Sequence, residues 1–321
     1  MSKGPFPVEY SVASSVALQQ HLSLTYELPS GSKVSFLYQG LHDTYLISNG
    51  SIHLILRIYR KDWKSLKNIQ AELDVLHNLK QGGVEVSVPY KDREGGYVQQ
   101  LNLPEGIRYA VVFMYAPGVR LSELNTEAAR LFGRKLAALH QVSDGMTHEG
   151  LQRSYYLENV FDNTMESLSV VVPDRRIIES LRLMYLKMDE VFSAHDADEL
   201  RAGICHGDAH FENAHFKVDS GRVTFYDFDF CGNGYLLYDI GSFCHYERNN
   251  EANVNAFLTG YDEVLTLSAT ERKLIPFFTT MMRIFHLGAR VRNADGRKNP
   301  IWPKTEIELK LREIEREVSV L

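Results

Sequence analysis

The sequence predicts an α+β fold, with an N-terminal antiparallel sheet carrying one helix and a mainly helical C-terminal part. Three observations predict it. Alternating runs at Lys33–Gln39, Tyr45–Ser48 and Ser51–Tyr59 read as strands, and two more follow at Tyr97–Leu101 and Arg108–Tyr115. Between the two sets, residues 62–81 repeat apolar side chains at helical spacing. From Leu121 onward the composition becomes helical. At 321 residues the chain suits one large or two modest domains, and two are expected, 1–116 and 117–321.

Taken in order, residues 11–24 form a short amphipathic helix that ends before Pro29, Ser30 and Gly31. Asn49-Gly50 is a hairpin turn signal between the second and third strands. On the third strand Leu54, Leu56 and Ile58 share one face, while Ile55, Arg57 and Tyr59 share the other. The helix over 62–81 carries a stripe of Leu66, Ile69, Leu73 and Leu76, with Glu72 on it. A carboxylate on an inward stripe needs a partner, because an unpaired buried charge is costly. Arg57 is the natural one; Asp74 points elsewhere. Gly82-Gly83 ends that helix, and Pro104-Glu105-Gly106 turns between the fourth and fifth strands.

In the second part, Asn125 or Thr126 caps a helix to about Val142, residues 143–175 read as irregular, and Arg175 to Ala194 reads as a helix. Ser268 and Glu271 form a capping box for a helix to Arg292 with a stripe of Ile275, Phe278, Met282, Phe285 and Ala289. Pro276 inside it predicts a kink or break. Arg283, Arg290 and Arg292 face solvent or an acidic substrate. Asn299-Pro300-Ile301-Trp302-Pro303 breaks the chain before a last helix, Thr305–Val320, whose mixed charges read as a solvated face.

Net charge is −6, with 35 basic against 41 acidic side chains, so no basic field draws nucleic acid. The three cysteines, Cys205, Cys231 and Cys244, lack zinc spacing and read as reduced thiols. Met1 to Tyr10 shows no apolar signal core, and runs such as Ala110–Ala116 are too short to span a bilayer. A soluble cytoplasmic protein without membrane partners is expected.

The chemistry concentrates at 206–229. Two short alternating runs, Phe216/Val218 and Val223/Phe225, flank Asp219-Ser220-Gly221 and predict a hairpin with Ser220 at its centre. That register sets Asn213 opposite Asp227 and brings an amide oxygen beside a carboxylate. Both are hard oxygen ligands of the kind Mg²⁺ takes. Asp208 lies five residues before Asn213, the Asp-x-x-x-x-Asn spacing of a catalytic loop whose Asp accepts the proton of a substrate hydroxyl. The competing reading of His206-x-Asp208-x-His210 is a zinc site of a hydrolase.

His206-Gly207-Asp208-Ala209-His210-Phe211-Glu212-Asn213, Phe225-Tyr226-Asp227-Phe228-Asp229 and Tyr238-Asp239-Ile240 together resemble the aminoglycoside phosphotransferase superfamily, which includes choline and type II homoserine kinases. The resemblance is good over the C-terminal core and extends over about residues 30–290. It implies a bilobal protein-kinase-like fold, with an N-terminal nucleotide-binding lobe and a C-terminal catalytic and substrate lobe. It implies ATP and Mg²⁺ as cofactors and a small-molecule hydroxyl as acceptor. Asp208 becomes the catalytic residue, with Asn213 and Asp227 on the metal. The turn at Gly40 falls where such folds place the loop over the phosphates. Arg57 takes the place of the strand-three lysine, a departure, with Glu72 as its partner and Ile55 under the adenine. Met114, Tyr115 and Ala116 fall at the hinge that offers backbone groups to an adenine edge.

The resemblance also makes His206 a brace of the loop and places His210 where protein kinases carry a lysine. Glu212 faces water, Asp229 is a second, weaker metal candidate on the Asp227 face, and Asp239 braces the loop or caps the next helix. The alternatives within the fold are a Ser/Thr protein kinase and a nucleotide-binding regulator without turnover. No activation-loop phosphosite or Ala-Pro-Glu follows Asp227, and retention of Asp208, Asn213 and Asp227 speaks against the regulator.

Overall fold

The computed structural model describes residues 6–294 and 302–321. The expected break at Asn299, Pro300 and Ile301 lies outside the described residues, as do the first five residues of the N-terminal stretch. The chain is a mixed α+β protein that divides into two compact units, Met1–Lys80 with Val86–Ala116, and Gln81–Glu85 with Pro117–Leu321.

The first unit opens with α1 (Ser15–Thr25), capped by Ser14. Strands β1 (Lys33–Gln39), β2 (Asp43–Ser48) and β3 (His53–Ile58) follow, then α2 (Leu66–Gln81), β4 (Val98–Leu103) and β5 (Gly106–Met114). They form one antiparallel sheet in the order β1-β2-β3-β5-β4. The alternation on β3 decides its faces. Leu54, Leu56 and Ile58 are buried with Leu18, Leu22 and Tyr26, so α1 seals one side of the sheet. Ile55 and Arg57 point to the other side. The helix expected over 62–81 starts only at Leu66, the first residue of its apolar stripe, because Ser65 and Asn68 exchange side-chain caps there. One buried cation was not foreseen. Arg108 is 1% exposed, pairs with Asp43 at 2.9 Å, and ties Ser11 and Tyr59 to the sheet.

The second unit contains α3 (Thr126–Ser143), capped by Asn125, then β6 (Arg153–Tyr155), α4 (Leu157–Val171) and α5 (Arg175–Ser193). Residues 143–175 are therefore not irregular. Leu157, Val160, Phe161, Thr164 and Leu168 make a buried helical stripe, with no side-chain cap at Tyr156 to announce it. Strand β7 (Ala202–Cys205) leads into the stretch 206–213, the hairpin β8 (Ala214–Lys217) and β9 (Arg222–Phe225) follows, and then β10 (Gly232–Tyr235). Strand β10 runs parallel to β6 and antiparallel to β7.

Helices α6 (Leu237–Tyr246), α7 (Glu251–Asp262), α8 (Ala269–Arg292) and α9 (Lys304–Ser319) complete the unit. The capping box at Ser268 and Glu271 is present. No break occurs at Pro276, and α8 runs through it with Phe277, Phe278, Met281 and Met282 buried. Helix α9 is not merely a solvated face, since Ile307, Leu311, Ile314 and Val318 are buried. Its Glu313 and Glu317 hold Arg283, which is thus committed within the fold. All three cysteines are free and buried.

Candidate active site

In the first unit, the Arg57 guanidinium meets Glu72 Oε1 at 3.2 Å, as the two faces required. The carboxylate is fully buried and takes more than this one cation. Lys64 Nζ lies 2.6 Å from Oε2, and the Tyr59 hydroxyl donates to the same oxygen at 3.3 Å. Lys64 escaped the sequence reading because it stands in the turn before α2, outside any periodic stripe. The Arg57 guanidinium also packs 5.2 Å from the Phe113 ring centre, on the strand that Ile55 pairs with. The Gly40 turn is closed by its own N–H, which donates to the His42 carbonyl at 3.0 Å.

The hinge expectation needs correction at Met114. Its N–H donates to Val88 O at 2.8 Å and is committed, while its carbonyl accepts from Ser87 Oγ and keeps a second lone pair. Tyr115 N–H points to His53 O at 3.4 Å.

In the second unit, the hairpin register is one residue away from the expected one. Ala214 pairs with Phe225 and Lys217 with Arg222, because Val218–Ser220 form a 3-10 turn closed by Gly221 at φ 62°. The loop thus holds four residues and not three. Asn213 consequently lies level with Tyr226, whose N–H donates to the Asn213 carbonyl at 3.0 Å. Asp227 follows in the left-handed region at φ 65°, an uncommon backbone for a non-glycine residue that re-aims the chain. The strand ends at Phe225, so Asp227 and Asp229 do not share a strand face; Asp229 sits buried in the 3-10 turn Phe228–Phe230.

Asp208 and Asn213 are brought together directly. The Asn213 amide nitrogen donates to both the carbonyl and Oδ2 of Asp208, each at 3.0 Å. Both partners are acceptors, which fixes the amide orientation and leaves the carbonyl oxygen as the atom that could ligate a cation. Asp208 Oδ1 accepts from the Tyr246 hydroxyl at 3.1 Å, with His286 Nε2 at 3.9 Å. His210 Nε2 is 3.4 Å from Oδ2, and its ring packs 4.1 Å from Tyr246. Burial alone would raise the Asp208 pKa, but the His210 and His286 imidazoles outweigh it and hold the group well below the usual carboxylate range. Asp208 is therefore ionised at neutral pH. Tyr246 and His286 lie 38 and 78 residues beyond Asp208, and no local pattern in the sequence marks them.

The loop is braced from beneath. Buried Asp239 accepts from the N–H groups of His206 at 2.6 Å and Gly207 at 2.8 Å, and it meets His140 Nε2 at 3.1 Å. It lies within the first turn of α6, so it braces and does not cap. His206 Nδ1 accepts from Asp208 N–H at 3.3 Å, and Nε2 faces Tyr226 O at 3.1 Å. That sets the tautomer with the proton on Nε2, and burial pushes its pKa down. With both nitrogens engaged in the loop, His206 cannot ligate zinc without breaking it, which removes the hydrolase reading. Gly207 has φ 83°, and a Cβ there would collide with the Phe230 carbonyl. Glu212 does not face water alone, for it pairs with Arg120 at 3.0 Å.

Residues 34–274 match the phosphotransferase enzyme family. An uncharacterised protein of Synechocystis sp. is 30% identical over 281 residues, covering 85% of this chain and 77% of its own. A homoserine kinase of Sinorhizobium fredii is 26% identical over 258 residues, covering 74% of each chain. Among solved structures, an amicoumacin kinase in complex with AMP-PNP, Ca²⁺ and Ami superposes with a TM-score of 0.75 at 19% identity, covering 96% of this chain and 94% of that one.

Proposed function

We propose, from the premise that this chain belongs to the phosphotransferase enzyme family, that it moves the γ-phosphoryl group of ATP to a hydroxyl of a small molecule. The observation that carries this reading is the ionised Asp208 carboxylate joined to the Asn213 amide at 3.0 Å. An ionised carboxylate can accept a hydrogen bond from an acceptor hydroxyl and aim its oxygen. As that oxygen bonds to the γ-phosphorus, the bond from phosphorus to the β-γ bridging oxygen breaks, ADP leaves, and the hydroxyl proton passes to Asp208. The low pKa suits an orienting group in a loose transition state, where little proton transfer is needed before bond cleavage.

The Asn213 carbonyl oxygen and the Asp227 carboxylate are hard donors that fit Mg²⁺, which when bound would neutralise charge on the phosphates. Arg57, fixed by Glu72, serves the nucleotide phosphates, and Ile55 and the Gly40 turn serve the base and phosphates as the nucleotide-binding part, 1–116. With the Met114 N–H committed, the Met114 carbonyl, Tyr115 and Ala116 are the candidates for the adenine edge. Residues 117–321 supply the catalytic and acceptor groups. No helix among the described residues is long and apolar enough to cross a membrane.

The test is ADP release by the purified protein with Mg·ATP and a panel of amino alcohols, hydroxy acids, aminoglycosides and protein extract. Acceptor-dependent release with a small molecule supports the reading. Label transferred only to protein would favour the protein-kinase alternative, and nucleotide binding with no release across the panel would favour a regulator.

A further inference from the structure

A cavity of about 200 Å³ lies within the second unit, between β6, α4 and α8. Among the described residues, Arg153, Arg292 and Glu166 are the charged side chains that line it. Ser154 and Asn163 add a hydroxyl and an amide. The Arg153 guanidinium lies 4.3 Å from the Phe230 ring centre and 5.7 Å from that of Phe285. Packing against aromatic rings fixes the plane of a guanidinium, whose fork geometry matches a carboxylate or phosphate.

The cavity is linked to the catalytic loop in two ways. Phe285 forms one wall, and the next residue, His286, stands 3.9 Å from Asp208 Oδ1. Across the small sheet, Arg153 pairs with Gly232, and Gly232 with Cys205. Two strand spacings put the Arg153 backbone roughly 10 Å from Cys205, whose strand runs into Asp208.

Resting on the reading of this chain as a hydroxyl phosphotransferase, we propose that the cavity holds the anionic end of the acceptor. The acceptor is then a small hydroxylated molecule bearing a carboxylate or phosphate, with several bonds between the anion and the reacting hydroxyl. Arg153 and Arg292 determine specificity, and two guanidinium groups against one carboxylate disfavour a polycationic acceptor.

The experiment compares L-homoserine, D-glycerate and sn-glycerol 3-phosphate with 3-amino-1-propanol and glycerol. Each is titrated calorimetrically onto the full chain with Mg·AMP-PNP, and each is assayed for ADP release with Mg·ATP. The expected result is a KM at least about tenfold lower for an anionic acceptor than for its anion-free counterpart. Arg292→Gln should raise that KM about tenfold or more, with kcat within about threefold and the KM of neutral alcohols unmoved. Arg153→Lys, which keeps the charge, should lose less than Arg153→Gln. The carboxylate and phosphate arms distinguish the two sources of the anion. Equal or better use of the neutral alcohols, or indifference to both Arg292→Gln and Arg153→Gln, overturns the proposal, as does failure of every anionic compound to bind. Anion binding that Arg292→Gln abolishes, with no ADP release anywhere, keeps the site and overturns the phosphotransferase reading instead.

Discussion

Glu72 in the first unit and Asp208 in the second are carboxylates satisfied in opposite ways. Glu72 is 1% exposed and meets two cations, Arg57 and Lys64, plus the Tyr59 hydroxyl. Asp208 is 20% exposed and meets a tyrosine, an amide and two imidazoles. The Arg57 guanidinium is always charged, and with Lys64 and the Tyr59 hydroxyl it holds Glu72 from three sides as a fixed clamp. Tyr246, Asn213, His210 and His286 orient Asp208 while leaving its carboxylate partly exposed. The contrast teaches that burial of a carboxylate does not by itself mark catalysis; the nature of its partners does.

The largest expected effect tests the clamp. Glu72→Ala leaves two cations uncompensated in the interior and should cost about 3–5 kcal/mol of unfolding free energy, read from urea midpoints. A loss below about 1 kcal/mol would mean that the cluster is solvated and the contrast with Asp208 is false.

Next comes the brace under the catalytic loop. Asp239→Ala strips the acceptor from two backbone N–H groups and from His140, and should cost about 2–3 kcal/mol. If stability were unchanged, the loop would be held by His206 and Gly207 alone. Lys64→Met should raise the KM for ATP by roughly three- to tenfold, because Arg57 keeps only half of its anchoring geometry around Glu72. An unchanged KM would make Lys64 a purely internal counter-charge.

The smallest effect is on pH dependence. Burial, with the nearby cations Arg248 and Arg283, depresses His245 to about 3, and burial also lowers His206. The unfolded chain binds protons at these residues below its ordinary histidine pKa, while the folded chain does not. Stability should therefore be present above about pH 6.5 and fall as pH drops toward 3, by at most about 1.4 kcal/mol per pH unit for each histidine. Asp208 acts in the same direction, but only at lower pH, below the ordinary carboxylate range. Urea midpoints at pH 7 and pH 5 check this, and His245→Phe should flatten the slope.

How much of this was legible depended on the range of the interaction. The strands at 33–59 and the inward Glu72 could be read because alternation and helical spacing are local properties. The Asp208–Asn213 pair was legible for the same reason, since one loop holds both. The hairpin register was not, because a four-residue loop with a 3-10 turn and a three-residue loop both end on Gly221. One residue of slip then moved Asn213 from Asp227 to Tyr226. Helix α4 was missed for want of a cap, and Lys64, Tyr246, His286 and Arg153 gain their meaning only from chain segments brought together by folding.

The central claim is that Asp208 aims the acceptor hydroxyl while nucleotide binding rests on other residues. Asp208→Asn keeps the size of the side chain and removes its charge. Steady-state turnover of this variant with the best acceptor should fall by about 10²–10⁴-fold, with the Kd for Mg·AMP-PNP within about threefold of the parent. Turnover at the parent rate, or a loss explained wholly by weaker nucleotide binding, would contradict it.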